Sequence, residues 1–355
     1  MIWLHGALVA KLQAACKSEC DRWHGLRRLA ADKTTLALPE SKSLWKTFGG
    51  HKGQQGLGPI AVELCCIFDL VSRAPLRFVY GKSATSEHKL IKKLIECLRK
   101  NDLLLLDTGF YYCATFARIL ARRAHFIIPA KTTTRPQVLR TLGPGDYLCC
   151  IKDSHSRKSL TVRALFVYRN GFRRRRLITS LLDPNLFPAA ELAQLYHMRW
   201  DIETFYRDFK HSLSATHWHC ITPMSFHQEL LMHMIALCLV RMAMLDASRS
   251  VKIPVAQLSF SRALTETRLF LRLLLMKSCV LSYAVVWCEF VRCCSRHRVQ
   301  VKPNRQFSRN RQEYRKNSRG LQKKRKGRKF IIKYPKPQMP DPEIRKSRDG
   351  LFLLS

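Results

Sequence analysis

Apolar and polar positions along the chain alternate between β-like and helical periods. Residues 27–41 form a short β-like stretch carrying one acid, Asp32, and residues 48–59 form a glycine-rich loop. The loop's spacing fits neither a phosphate-binding nor a dinucleotide fingerprint, so its glycines read as turn formers. Two apolar, β-rich runs at 60–70 and 75–82 predict a hairpin. Helical spacing follows within 86–100, at Leu90, Leu94, Ile95 and Leu98. Residues 103–110, LLLLDTGF, are apolar up to an acid and a glycine. That is the pattern of a buried central strand delivering Asp107 at its C-terminal edge. A helix at 111–123 and a strand at 125–130 come next. Short β-like pieces at 146–152, 160–170 and 173–182 then make a β-rich insertion, followed by helices at 194–213, 226–247 and 264–274.

The helix at 194–213 has two faces. Leu195, Met198, Ile202, Phe205 and Phe209 gather on an apolar side that packs on a core. At about 100° per residue, Tyr196, Arg199, Glu203, Arg207 and Lys210 share one arc of roughly 80°. A solvated face with spaced charge pairs would give such a stripe. A binding surface would too.

Charge changes the weighting. The chain has 355 residues, 46% of them hydrophobic, and carries 63 Lys and Arg against 25 Asp and Glu, a formal net charge of +38. It is long and apolar enough to bury a sizeable core, which excludes a disordered polyelectrolyte. The excess of cations favours a polyanionic partner, nucleic acid first. Twenty of the cations lie from residue 295 onward, in a polar tail without periodicity that is expected to order on meeting a polyanion.

The 14 cysteines include the adjacent pairs Cys65–Cys66, Cys149–Cys150 and Cys293–Cys294, which suit buried reduced thiols in an intracellular compartment better than a zinc site or a disulfide framework. The apolar N-terminus lacks a basic region before it and so does not read as a signal peptide. The run 269–290 is interrupted by Arg272 and Lys277, and reads as one or two buried helices rather than a membrane span.

The order of three strands, helix, strand, helix, strand and a late helix is a ribonuclease-H-like α/β order. It predicts a mixed sheet flanked by helices, with the first and fourth strands side by side. Asp32 and Asp107 then meet, and a helix across the strand ends adds Glu203. Such a carboxylate triad can hold two Mg²⁺ ions for phosphoryl transfer.

Tyr196, Arg199, Glu203 and Lys210 follow the spacing Y-(2)-R-(3)-E-(6)-K. With the D-T-G-F at Asp107, the T-T-L-x-L-P after Asp32 and Lys33, the Q-E-L-L run ending at Arg241 and the basic tail, the chain resembles bacterial insertion-sequence DDE transposases of the YREK type over residues 27–330. The resemblance implies a cut-and-paste enzyme that cleaves and joins double-stranded DNA at its element's terminal inverted repeats. It implies Asp32, Asp107 and Glu203 as ligands of two Mg²⁺ ions, with Mn²⁺ as a substitute. Tyr196, Arg199 and Lys210 are implied as phosphate clamps; Arg207 shares their arc but lies outside the signature. A homodimer on DNA, no membrane association and a bacterial cytoplasmic, nucleoid-associated location are implied as well.

The expected organisation is a helical N-terminal remnant at 1–26, core at 27–130, the β insertion at 131–185, the catalytic and later helices at 186–294, and the tail at 295–355. The sequence departs from the family pattern in three places. Lys33 stands where glycine is common. A stretch of 31 residues precedes Asp32, which implies a shortened N-terminal region. No tryptophan lies in the insertion to stack on a flipped base, leaving Tyr147, Phe166, Tyr168 or Phe172 as stand-ins. The alternatives are an inactive remnant that only binds DNA, and a ribonuclease-H-like nuclease that hydrolyses without joining.

Overall fold

A computed structural model describes residues 1–16, 21–53, 56–152, 159–169, 175–275, 282–299, 344–346 and 351–354. Its central strand, β1 (Arg27–Ala37), lies between unlike neighbours. On one side β3 (Gly56–Asp69) runs antiparallel to it, paired in turn with the short β2 (Gly50–Gly53) and with β4 (Pro75–Lys82). On the other side β5 (Asp102–Leu105) and then β6 (His125–Pro129) run parallel to it. This is the α/β class and the ribonuclease-H-like strand order that the sequence predicts.

The β-rich stretch continues the same sheet. β10 (Arg175–Thr179) pairs antiparallel with β6, β9 (Ser159–Arg169) with β10, β8 (Asp146–Lys152) with β9, and β7 (Gln137–Gly143) with β8. Two short strands from the tail, β11 (Ile344–Lys346) and β12 (Leu351–Leu354), complete a 12-stranded sheet, β12 lying against β9. These strands depart from the aperiodic tail that the sequence predicts; the other residues beyond 299 lie outside the described set.

Side-chain alternation along the strands splits the core in two. Leu29, Ala31, Cys65, Ile67 and Leu104 face α3 (Glu87–Ile95) and α4 (Cys113–Ala121). Ala30, Cys66, Phe68, Leu103 and Leu105 face the opposite layer, with Ile202, Phe205 and Phe209. That layer holds α5 (Ala189–His197), α6 (Asp201–Arg207), α7 (Pro223–Ser250), α8 (Phe260–Leu275) and α9 (Tyr283–Arg296). Each fully buried leucine or phenylalanine contributes about 1.5–3 kcal/mol. The N-terminal α1 (Ile2–Ala15) packs on α7.

α7 is 28 residues long, opened by Pro223 after a capping box between Thr222 and Ser225. It has the length and composition of a membrane span, but most of its apolar stretch is buried inside the protein. The run 269–290, by contrast, is divided between α8 and α9.

Two local expectations change. The first strand ends at Ala37 rather than running to 41, α2 (Lys42–Phe48) follows it, and the glycine-rich segment expected as a loop forms β2 and the start of β3. Gly49, at φ 69°, makes the turn between α2 and β2, a backbone conformation that glycine adopts at no steric cost. The single helix expected at 194–213 is instead three kinds of winding. α5 passes through a tight 3₁₀ turn (Met198–Trp200) into α6, and α6 into a wide π turn (Asp208–Ser212).

Two charge pairs hold this layer. The Arg163 guanidinium, fully buried, grips Asp146 and donates to the carbonyls of Asp183 and Phe187, tying β8 and β9 to the chain entering α5. Arg241 of α7, also buried, donates to Asp208 at 2.7 Å and lies over the Phe260 ring.

Candidate active site

The parallel register between β1 and β5 sets Ala30 opposite Leu105. Asp32 and Asp107 each lie two residues farther on, and Asp107 is close enough to act on the Asp32 carboxyl. The Leu106 N–H still bonds to the Ile127 carbonyl, and the chain leaves the sheet at Asp107 into a 3₁₀ turn (Thr108–Phe110). A Cβ on Gly109 in that turn would lie 1.6 Å from Glu87 Oε2, so a side chain there would require the end of the Glu87 side chain to move aside.

Glu203 arrives from the other layer, on α6, and Arg199 joins it to the first acid. The Arg199 guanidinium, 5% exposed, lies 3.1 Å from Glu203 Oε1 and 3.4 Å from Asp32 Oδ2, a residue 167 positions away. Asp32 also accepts the Lys33 N–H at 2.8 Å. Burial pushes the Asp32 carboxyl up to about 6; the Lys33 amide and Arg199 pull it down, while Asp107 and Glu203 push it further up. Asp32 thus feels both of the other acids. Burial works against the Arg199 charge, but Tyr196 and the acids Asp107, Asp32 and Glu203 outweigh it and raise its pKa.

Hard carboxylate oxygens are the donor set a small divalent ion requires. Among the described residues no three such groups stand within metal-ligand reach of one another; Arg199 occupies the place between two of them.

The three residues expected as phosphate clamps all have partners within the protein. Tyr196 is 5% exposed, and its hydroxyl donates to the Leu106 carbonyl at 3.1 Å. The reason is the 3₁₀ turn: three residues at 120° instead of 100° rotate Tyr196 by about 60° relative to Glu203, off the common stripe and into the core. Arg199 is turned to the acids rather than outward. Lys210 donates to the Thr35 carbonyl at 2.8 Å from the π turn, half-buried, with its pKa lowered by burial and partly restored by Glu63. Arg207 is exposed.

Lys33 does not reach toward the acids. Strand alternation sends it to the opposite face, where its Nζ is 3.3 Å from the buried Glu63. Of the candidate stacking aromatics, Tyr147 and Phe166 meet edge to face at 5.8 Å; Phe172 and the Tyr168 side chain lie outside the described residues. Sequence reasoning missed Tyr206, whose hydroxyl donates to the Asp32 carbonyl at 2.6 Å. Its place on the apolar side of α6 carried no sign of that bond. Glu87 was missed as well, because at a helix start it reads as an ordinary N-terminal acid.

The family model described as a transposase DDE domain matches residues 23–239. The transposase InsG for insertion sequence element IS4 of Escherichia coli (strain K12) is 31% identical over 256 residues, 68% of this chain and 58% of that protein. The chain thus spans under two thirds of the length of that relative. The piggyBac transposase in its synaptic complex with hairpin DNA is a more distant likeness, with 10% identity and a TM-score of 0.40 over 75% of this chain and 57% of that one.

Proposed function

The chain belongs to the transposase DDE-domain family, and from that premise we propose that it cleaves DNA at the terminal inverted repeats of an insertion sequence and joins the freed ends to target DNA. The observation that carries this reading is the Arg199 bridge, which brings Glu203 to Asp32 from a different layer of the fold.

Asp32, Asp107 and Glu203 would hold Mg²⁺, two ions by preference, with Mn²⁺ able to replace it. Bound there, the ions would lower the pKa of an attacking water or hydroxyl and steady the leaving oxygen. The residues around them have separate tasks. The β1–β5 pairing brings the chain segments of Asp32 and Asp107 alongside each other, and burial first, with the two other acids adding to it, holds the Asp32 carboxyl above its ordinary range. Arg199 supplies positive charge between Asp32 and Glu203. Arg207, exposed one turn beyond Glu203, and Lys210 at the rim are suited to phosphate oxygens of the bound strand, as a planar fork and a point charge. The tail's cations add sequence-independent affinity for double-stranded DNA. A two-ended DNA substrate would be served by two copies of the chain, one for each end.

The test is to incubate purified protein with DNA carrying the flanking repeats in Mg²⁺ or Mn²⁺. Strand cleavage followed by joining is expected, with Glu203→Gln binding the DNA but not cutting it. Wild-type protein that binds the repeats and cuts in neither ion would overturn catalysis in favour of a DNA-binding remnant. Cleavage without joining would mark a nuclease.

A further inference from the structure

Two tyrosines flank Glu203 on the segment that carries it, and each spends its hydroxyl on the main chain beside a strand acid. Tyr206 donates to the carbonyl of Asp32 itself at 2.6 Å, and Tyr196 to the carbonyl of Leu106, the residue before Asp107, at 3.1 Å. Both rings are buried, at 6% and 5% exposure. A buried phenylalanine would fill the same space, so packing alone does not call for either hydroxyl.

Their positions are informative. A helix held at one point can still roll about its axis or slide along the sheet, whereas two bonds to different strands remove both freedoms. One tie is to β1 and the other to the end of β5, and Glu203 lies between them in sequence. The Tyr206 bond also fixes the peptide whose next N–H, that of Lys33, holds the Asp32 carboxylate at 2.8 Å. Backbone and side chain of Asp32 are thereby set by a single local arrangement.

We propose that Tyr196 and Tyr206 are positioning residues that set the distance between the Glu203 carboxylate and the two strand carboxylates. The proposal rests on the reading of Asp32, Asp107 and Glu203 as metal ligands. On this view the hydroxyls govern how well the acids bind a divalent ion. They should matter little to DNA affinity, because neither faces the surface.

The experiment uses the full chain without DNA, with Mn²⁺ as the probe, titrated by electron paramagnetic resonance. Tyr206→Phe and Tyr196→Phe are compared with wild type, with Glu203→Gln and with Cys66→Ala. Cys66 lies opposite Asp32 in the β1–β3 register and also meets the Tyr206 hydroxyl, so its alanine variant tests whether that second neighbour matters. Both phenylalanine variants should bind Mn²⁺ about 10- to 100-fold more weakly, the usual consequence of losing a group that orients a ligand. Their thermal midpoints and DNA affinity should stay close to wild type, and Cys66→Ala should bind Mn²⁺ as wild type does.

If Glu203→Gln weakens Mn²⁺ binding and the phenylalanine variants do not, the positioning role is wrong and the ligand reading stands. If Glu203→Gln binds Mn²⁺ like wild type, the ligand reading itself fails. Should one phenylalanine variant not fold, the other decides; should neither fold, the hydroxyls hold the fold together and the proposal is overturned.

Discussion

Arg241→Met isolates the buried pair that fastens the Glu203 segment to α7. In the native protein the guanidinium is 1% exposed, 2.7 Å from Asp208 Oδ2, and stacked 4.4 Å from the Phe260 ring centroid. Burial lowers its pKa to about 10, with Asp208 opposing, so it remains charged at neutral pH. Methionine keeps much of the aliphatic volume and removes the charge. The Asp208 side chain, 10% exposed, is left without its partner in the core. Removing one member of a buried pair costs about 3–5 kcal/mol, because a carboxylate then stays out of water uncompensated. At about 2 °C per kcal/mol for a large domain, the melting midpoint should fall by roughly 6–10 °C.

The double variant Arg241→Met/Asp208→Leu removes both charges and should recover most of the loss, giving a coupling energy outside additivity. Urea and thermal melts of the three variants measure that coupling. A single variant within about 1 kcal/mol of wild type would refute the reasoning, and so would a double variant that loses the sum of both singles. Because Asp208 opens the π turn just after Glu203, cleavage should follow stability: reduced in the single variant, partly restored in the double.

Arg163→Met should be as costly, about 3–5 kcal/mol in a denaturant melt, since it strands Asp146 as well as the carbonyls of Asp183 and Phe187. Arg207→Ala should leave the melt unchanged and reduce the salt slope of DNA binding by about one unit if the side chain meets one phosphate; an unchanged slope would remove it from the interface.

The strand before Asp107 was legible because 103–106 is a short apolar run, too short for a helix of ordinary length, and the acid after it falls at its end. Glu203 was legible through its spacing from Arg199. What the spacing could not give was the winding between Tyr196 and Glu203. No residue type in Met198–Trp200 signals the local tightening to a 3₁₀ turn. Lys33 was ambiguous for a related reason. Its face follows from strand parity, but its partner, Glu63, is 30 residues away on a neighbouring strand. α2 was missed because seven residues, Lys42–Phe48, offer too few turns for a helical period to register.

The length and greasiness of α7 bear on how the protein is made. A helix of 28 residues with the composition of a membrane span must be hidden soon after it leaves the ribosome. Strands β1 to β10 are all encoded before residue 223, and so are α5 and α6. Domains generally form in the order of synthesis. The sheet face bearing Ala30, Leu103 and Leu105 and the apolar side of α6 can thus be waiting when α7 emerges. Placing the most membrane-like segment after the surface that receives it gives the nascent chain a protein partner before a lipid one. Moved ahead of β1, the same 28 residues would enter the cell with nothing yet built to cover them.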